Sequence, residues 1–162
     1  MLTVTLHYTP ALVRRAVFAY LWRGLGTGGF VALAGLVCAA VILLISRPDA
    51  WATGALCGAV AVLLLLLVGL YFLHYRQGMA KLARMQQPQA VLELTATALT
   101  ATSQAGAFSA PWSTFTGLWQ FGGFWLLIVG KGQFMTLPLA DLGEEAQTFI
   151  AARVGTHGKP AA

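Results

Sequence analysis

Two long stretches of apolar residues constrain this chain more than any other feature. They cover residues 27–46 and 50–73, and neither contains an Asp, Glu, Lys, Arg or His. An α-helix rises 1.5 Å per residue, so about 20 residues span the roughly 30 Å hydrocarbon core of a bilayer. The sequence therefore predicts two transmembrane helices, which a short connector containing Pro48 joins into an antiparallel hairpin.

The basic residues favour one orientation of this hairpin. The connector carries Arg47 alone, whereas the sides facing the two termini carry Arg14, Arg15, Arg23, Arg76, Lys81 and Arg84. Basic flanks stay on the cytoplasmic side of a membrane. We therefore expect a multi-pass membrane protein with both termini in the cytoplasm. The net charge of +5 does not indicate nucleic-acid binding, because the cations do not cluster with aromatic residues on one face.

Two features of the predicted helices indicate contacts with other molecules. Arg76, Lys81 and Arg84 follow the second apolar stretch and are candidate ligands for lipid headgroups, so membrane lipid is an expected partner. Gly54 and Gly58 are four residues apart, a spacing at which small residues let two helices approach closely. Two interpretations of these glycines stay open, namely packing within the hairpin and an interface of a homo-oligomer.

The rest of the chain predicts a small α+β domain. We expect an N-terminal strand and a cytoplasmic or interfacial helix (1–26), the hairpin (27–74), a juxtamembrane helix (75–88), a β-rich cytoplasmic domain (89–154) and a flexible tail (155–162). Thr9 and Pro10 are typical of a helix start. Glycines 24, 26, 28 and 29 are expected to kink the helix before the first apolar stretch. The N-terminal strand is expected to join the later sheet, because its backbone groups need hydrogen-bond partners.

Five candidate strands follow Pro88, at residues 91–95, 98–102, 108–120, 124–129 and 133–137. Turn signals such as Gly122-Gly123 and Gly130-Lys131-Gly132 separate them. Asp141 and Glu144 have the capping-box spacing at the start of an amphipathic helix that ends near Val154. The pattern predicts an antiparallel sheet covered by a C-terminal helix, of roughly PH-like shape.

Eight aromatic residues lie close together in the predicted sheet: Phe108, Trp112, Phe115, Trp119, Phe121, Phe124, Trp125 and Phe134. A small domain needs large side chains to fill its core. The alternative is that Trp119 and Phe121 form an exposed patch that binds a protein partner. The alternation of apolar residues breaks near Trp112, which indicates a bulge or a shift of register.

Three short motifs accompany this order of elements. They are Pro111-Trp112-Ser113, then Phe124-Trp125-Leu126-Leu127-Ile128, then Leu137-Pro138 before the closing helix. In this the chain resembles the YcxB-like family of uncharacterised bacterial membrane proteins. In that family a tryptophan begins a central strand and a proline follows the last strand, positions that Trp112 and Pro138 match. A basic residue often follows that proline, but this chain continues Leu139-Ala140-Asp141. The resemblance implies an architecture without implying an activity.

No group of residues predicts catalysis. His7, His74 and His157 belong to different predicted elements, and Cys38 and Cys57 lie inside the apolar stretches. The glycines match neither a phosphate-binding loop nor a dinucleotide fingerprint. We therefore predict no catalytic residue, no metal site and no cofactor.

These observations favour a non-enzymatic membrane protein. The leading hypothesis is an inner-membrane protein whose cytoplasmic β-rich domain acts as an interaction or regulatory module and binds a protein partner. The alternative hypothesis is an immunity protein that protects against a membrane-acting toxin, or a small accessory subunit of a larger membrane complex.

Overall fold

The computed structural model describes residues 1–130 and 133–157. Lys131 and Gly132 of one predicted turn, and residues 158–162 of the predicted tail, lie outside this part of the chain. The described chain separates into two compact units. The sheet unit contains residues 1–16 and 77–162, and the helical unit contains residues 17–76.

Two long helices correspond to the two apolar stretches. Helix α1 covers Pro10–Ser46 and helix α2 covers Trp51–Ala83. Both are long and apolar enough to cross a membrane, by length and composition. The predicted start of α1 is confirmed, because Pro10 is its first residue and the Thr9 hydroxyl oxygen accepts the Leu12 N–H at 3.2 Å.

Helix α1 has a kink at Gly26. This residue has φ 65° and ψ 169°, a backbone conformation that is essentially restricted to glycine. The rings of Trp22 and Phe30, on either side of the kink, have centroids 4.0 Å apart. The predicted kink before the first apolar stretch is thus confirmed and assigned to one glycine.

Seven strands form two antiparallel sheets in the sheet unit. Sheet A has the order β1 (Leu2–His7), β2 (Gln89–Leu94), β3 (Ala98–Ser103) and β4 (Gly106–Pro111). Sheet B has the order β5 (Phe115–Phe121), β6 (Phe124–Val129) and β7 (Gln133–Pro138), and helix α3 (Glu144–His157) follows it. The predicted pairing of the N-terminal strand is confirmed, with Leu6 opposite Ala90 in the β1–β2 ladder.

The prediction of one strand over residues 108–120 is wrong. The chain leaves sheet A after Pro111, makes a 3₁₀ turn over Trp112–Thr114 and enters sheet B at Phe115. Pro111 has no backbone N–H to continue a ladder, which favours an end to the strand there. The domain therefore contains two sheets in place of the single five-stranded sheet plus β1. The expected irregularity is present as a register shift between Phe115 and Gly117.

The hydrophobic core lies between the inner faces of the two sheets and helix α3. Alternation along the strands directs one set of side chains to this core. The fully buried members are Leu6, Leu92, Leu94 and Leu99 of sheet A, Phe115, Leu127 and Leu137 of sheet B, and Ile150 of α3. Residues from both ends of the sequence thus share one core, with β1 as an integral part.

The prediction that Asp141 caps the last helix is wrong. Helix α3 begins at Glu144, and the Asp141 carboxylate accepts hydrogen bonds from His7 instead. The helix also continues to His157, three residues past its predicted end at Val154. A local spacing rule cannot anticipate a competing donor at the other end of the chain.

Candidate functional site

The two long helices join the sheet unit at neighbouring strands. Strand β1 leads into α1, and α2 leads into β2, with His7 opposite Gln89 at the end of the ladder. The Tyr8 N–H donates to the Pro88 carbonyl at 2.8 Å and adds one more bond. Paired strands lie about 4.8 Å apart, so sheet A holds the chain segments that lead into α1 and out of α2 close together. This region, residues 7–16 and 77–89, is termed the hairpin base.

The helices approach very closely at the hairpin base. A Cβ atom added to Gly78 of α2 would lie 2.7 Å from Cγ1 of Val13 in α1. Real Cβ atoms do not approach a carbon this closely, and a β-branched side chain has little rotamer freedom in a helix. Glycine at position 78 is therefore required for this contact.

Asp141 ties strand β1 to the segment between β7 and α3. Its Oδ2 accepts the His7 backbone N–H at 2.6 Å, and its Oδ1 lies 3.1 Å from Nδ1 of the His7 ring. The imidazole is more than half exposed, whereas the carboxylate is 18% exposed. The carboxylate thus serves as the acceptor for both the main chain and the side chain of one residue.

Tyr8, the next residue, is tied to sheet B. Its hydroxyl donates to the Thr136 carbonyl of β7 at 3.0 Å. Burial raises the pKa of the Tyr8 phenol, and the nearby negative charge of Asp141 raises it further. The phenol therefore stays protonated as a hydrogen-bond donor over the physiological pH range.

The segment between α2 and β2 is held by the turn between β3 and β4. The side-chain carbonyl of Gln104 in that turn accepts the backbone N–H of Gln86 at 2.7 Å and that of Gln87 at 3.4 Å. This contact satisfies two donors just after the end of the helix. Both connections between the helices and the sheet unit are therefore anchored by long-range hydrogen bonds.

Exposed cations surround the hairpin base. Arg14 and Arg15 lie on α1, Lys81 lies on α2, and Arg84 directly follows α2; all four are exposed. Arg76, the third predicted headgroup ligand, is also exposed but belongs to the helical unit. The sequence predicts that all four lie on the same side of the membrane, although more than sixty residues separate the two arginines of α1 from Lys81 and Arg84.

Trp112 and Pro138, the two family-motif residues, have structural positions. Trp112 is 2% exposed, packs in the core and donates its indole N–H to the Thr95 carbonyl at 3.0 Å. Trp112 lies in the 3₁₀ turn before β5. The expectation that it begins a strand is therefore wrong, because the strand begins at Phe115. Pro138 is the last residue of β7 and is buried opposite Phe124.

Trp119 and Phe121 lie outside the core cluster and pair with the buried Leu126 and Phe124 of β6. Both are half-buried rather than fully exposed. Phe121 pairs with Phe124 across the β5–β6 ladder, and their rings stack with centroids 5.1 Å apart. Leu126, opposite Trp119, is fully buried. Only part of each predicted contact residue is thus accessible, and a role in partner binding stays a prediction.

The two glycines of α2 have open space around them. No heavy atom lies within 4 Å of a Cβ added to Gly54 or to Gly58, apart from the local backbone. Both glycines are exposed in the structure. Packing within the hairpin and an interface of a homo-oligomer both stay predictions for these glycines.

Within residues 1–130 and 133–157, no group of three or more His, Cys, Asp or Glu side chains could hold a metal ion. Cys38 and Cys57 are free thiols in the structure. The polar groups of the sheet unit that come together, His7, Tyr8 and Asp141, connect elements of the fold to one another.

The fold defines a class of protein in which two long apolar helices are inserted between neighbouring strands of a two-sheet α+β domain. Residues 94–152, from the end of β2 into α3, match the family model described as YcxB-like protein. This match confirms the resemblance inferred from the sequence. The matched residues do not include β1, α1 or α2. Comparisons with curated proteins and with solved structures give no match.

Proposed function

We propose that this chain is a non-enzymatic protein of the bacterial inner membrane, whose cytoplasmic sheet unit acts as an interaction or regulatory module. One observation carries the proposal: α1 follows one strand of sheet A and α2 precedes the neighbouring strand, with His7 opposite Gln89. Such a connection links the membrane segments to the domain more tightly than a flexible linker would. A partner bound to the sheet unit is then held at the membrane.

The charged residues support insertion with both termini in the cytoplasm. The segment between α1 and α2 carries Arg47 and Asp49, whose charges cancel, while six arginine and lysine residues flank the opposite ends of the helices. Under the positive-inside rule, these basic flanks lie on the cytoplasmic side. Cysteine-accessibility labelling of whole cells, with single cysteines introduced at Asp49 and at Glu145, tests this orientation. Only the Asp49 position should react with an impermeant maleimide added from outside.

Aromatic residues in the helical unit support the same placement. Tyr71 stacks on Tyr75, and the rings of Tyr20 and His74 have centroids 5.8 Å apart. At the other end of α2, Trp51 is 86% exposed. Twenty residues of helix separate Trp51 from Tyr71, a rise of about 30 Å, which equals the hydrocarbon thickness. Aromatic residues at both ends of such a span are typical of membrane interfaces.

The layout of the sheet unit supports a binding role. The sheet unit consists of a four-stranded antiparallel sheet, a three-stranded antiparallel sheet and a C-terminal helix. Fold alone does not define function, so the proposal rests on the surface. Trp119 and Phe121, partly accessible on sheet B, are the proposed contacts for a protein partner.

Affinity purification of the full-length protein from native membranes in mild detergent, followed by mass spectrometry, tests this function. A stoichiometric partner that is lost on Trp119→Ser/Phe121→Ser substitution supports the interaction module. Val91→Ser, which changes an exposed apolar residue of sheet A, is the matched control. Recovery of the protein without any partner, across repeated purifications, counts against the proposal.

A second function is favoured by the open glycines of α2. Gly54 and Gly58 leave room for a second helix to approach closely, and no described residue lies within 4 Å of a Cβ added to either. A small accessory subunit of a membrane complex, or an immunity protein that binds a membrane-acting toxin, would use such a surface. A homo-oligomer would use it equally well.

Leucine substitutions at these glycines test the second function. Gly54→Leu/Gly58→Leu fills the open space, whereas Gly69→Leu adds the same side chain to α2 at another open position. Loss of a co-purifying membrane protein in the first variant alone would favour the accessory or immunity role. Loss of a homodimer in the first variant alone would favour self-association. Unchanged co-purification in both variants would exclude this surface.

A further inference from the structure

Four exposed cations from two distant parts of the sequence lie in the hairpin base and are termed the cationic patch. Arg14 and Arg15 directly follow Val13, and Lys81 lies three residues after Gly78 on the same helix face. The close contact of Val13 with Gly78 brings the helical turns that carry Arg14, Arg15 and Lys81 next to one another. The Tyr8–Pro88 hydrogen bond holds the adjoining chain segments together. Arg84 completes the patch just after α2.

The patch has no internal counter-charge. Among the described residues, none of these four side chains forms an ion pair or a side-chain hydrogen bond. Asp141, a carboxylate near β1, is already bound to His7. Four exposed like charges held together by the fold raise the local potential and favour an anionic ligand. Their charge is therefore available to a molecule outside the chain.

We propose that this patch, formed by Arg14, Arg15, Lys81 and Arg84, binds the anionic phospholipids of the membrane surface. The inference rests on the proposed insertion of α1 and α2 into a membrane. Phospholipid is the favoured ligand because all four cations lie on, or next to, the same two helices that form the apolar stretches. Arginine side chains suit the phosphate of a lipid headgroup, since their planar N–H groups match its oxygens. Lipid charge would then control how firmly the sheet unit is held at the membrane.

Native mass spectrometry of the full-length protein in a neutral detergent tests this inference. The protein is titrated separately with phosphatidylglycerol, which is anionic, and with phosphatidylcholine, which has no net charge. The wild-type protein should prefer phosphatidylglycerol, and added salt should reduce this preference because exposed charges are screened. Equal binding of the two lipids would overturn the inference.

Matched double variants locate the binding. Arg14→Gln/Arg15→Gln and Lys81→Gln/Arg84→Gln should each reduce the preference by about tenfold or more, since a cation near an anionic surface contributes roughly fivefold. Arg14→Lys/Arg15→Lys should retain most of it. Arg47→Gln/Arg153→Gln removes two cations elsewhere and should leave it unchanged. If this control variant lost the preference as strongly as the first two, net charge and not the patch would explain the binding.

Two further measurements distinguish a failure of the proposed membrane insertion from a failure of the lipid assignment. Resistance of the wild-type protein to extraction from membranes by alkaline carbonate tests insertion by itself, so an extracted protein refutes the proposed function before any lipid is added. Competition with poly-glutamate tests the alternative of an acidic protein ligand. Displacement of phosphatidylglycerol by poly-glutamate at lower concentration than the lipid would overturn the lipid assignment.

Discussion

The carboxylate of Asp141 binds both the backbone and the ring of His7, although 134 residues separate them in the chain. The last residue of β1 is thereby connected to the turn before α3. This contact joins the two ends of the sheet unit on either side of the inserted helices. It also means that the stability of the domain depends on a segment that precedes α1.

Asp141→Ala should destabilise the protein by about 1–2 kcal/mol, because it removes a charged acceptor from the His7 N–H. His7→Ala should cost less, about 0.5 kcal/mol, since the exposed ring pair is screened by solvent while the backbone bond to Asp141 remains. Thermal unfolding of the full-length protein in detergent, followed by tryptophan fluorescence, measures both. Equal losses from the two substitutions would show that the backbone bond contributes nothing.

The stability of the protein should fall at alkaline pH because of Tyr8. Burial raises the pKa of this phenol in the folded protein above the value near 10 that a tyrosine has when unfolded. The unfolded chain then loses a proton above about pH 10 while the folded chain keeps it, so unfolding becomes more favourable as pH rises. Below pH 10 this contribution to stability is fully present.

Tyr8→Phe isolates this effect. The variant should lose about 1 kcal/mol below pH 10, because the hydrogen bond to the Thr136 carbonyl is gone. Its stability should then depend less steeply on pH above 10 than that of the wild type, since position 8 no longer ionises. Unfolding midpoints between pH 8 and 11 give the comparison. A constant difference between the two proteins across this range would contradict the assignment.

Local patterns predicted the elements whose causes are local. The start of α1 at Pro10 follows from a hydroxyl cap and a proline, and the kink follows from the glycines around Gly26. The pairing of β1 with β2 was also predictable, because an alternating strand needs partners for its backbone. In each case the residues that cause the feature lie within a few positions of it in the sequence.

The features that the sequence patterns did not predict depend on contacts between residues far apart in the chain. Asp141 has capping-box spacing to Glu144, but the His7 N–H competes for its carboxylate. The pattern predicts one strand over residues 108–120. In the structure a 3₁₀ turn with the buried Trp112 interrupts this segment, and the chain passes there from sheet A to sheet B. The cationic patch depends on the Val13–Gly78 contact, which no spacing in the sequence reveals.

Trp112 should be among the most sensitive core positions. Trp112 is 2% exposed. Trp112→Phe removes the indole N–H that donates to the Thr95 carbonyl, and the smaller ring leaves a cavity in the core. We expect a loss of about 2–3 kcal/mol. Trp51→Phe, at a position that is mostly exposed, should change the stability by less than about 0.5 kcal/mol. Chemical denaturation of both variants, under the same detergent conditions, provides the test, and similar losses would argue against a core role for Trp112.

Gly78 should determine how closely α1 and α2 approach at the hairpin base. Within a helix, Gly→Ala normally stabilises by up to about 1 kcal/mol. At position 78 the added methyl group would lie 2.7 Å from Val13 Cγ1, and overpacking of this kind costs about 1–3 kcal/mol. Gly78→Ala should therefore destabilise the protein, as measured by its thermal unfolding midpoint.

A second substitution distinguishes this steric effect from any other role of Gly78. Val13→Ala removes the clashing carbon, so Val13→Ala/Gly78→Ala should be more stable than Gly78→Ala alone, although Val13→Ala by itself loses packing. Gly69→Ala lies in the same helix with open space around it and should not destabilise. If the double variant were as unstable as the sum of the single variants, the two positions would not be coupled. The close approach of the helices, and with it the grouping of Arg14 and Arg15 with Lys81, would then be refuted.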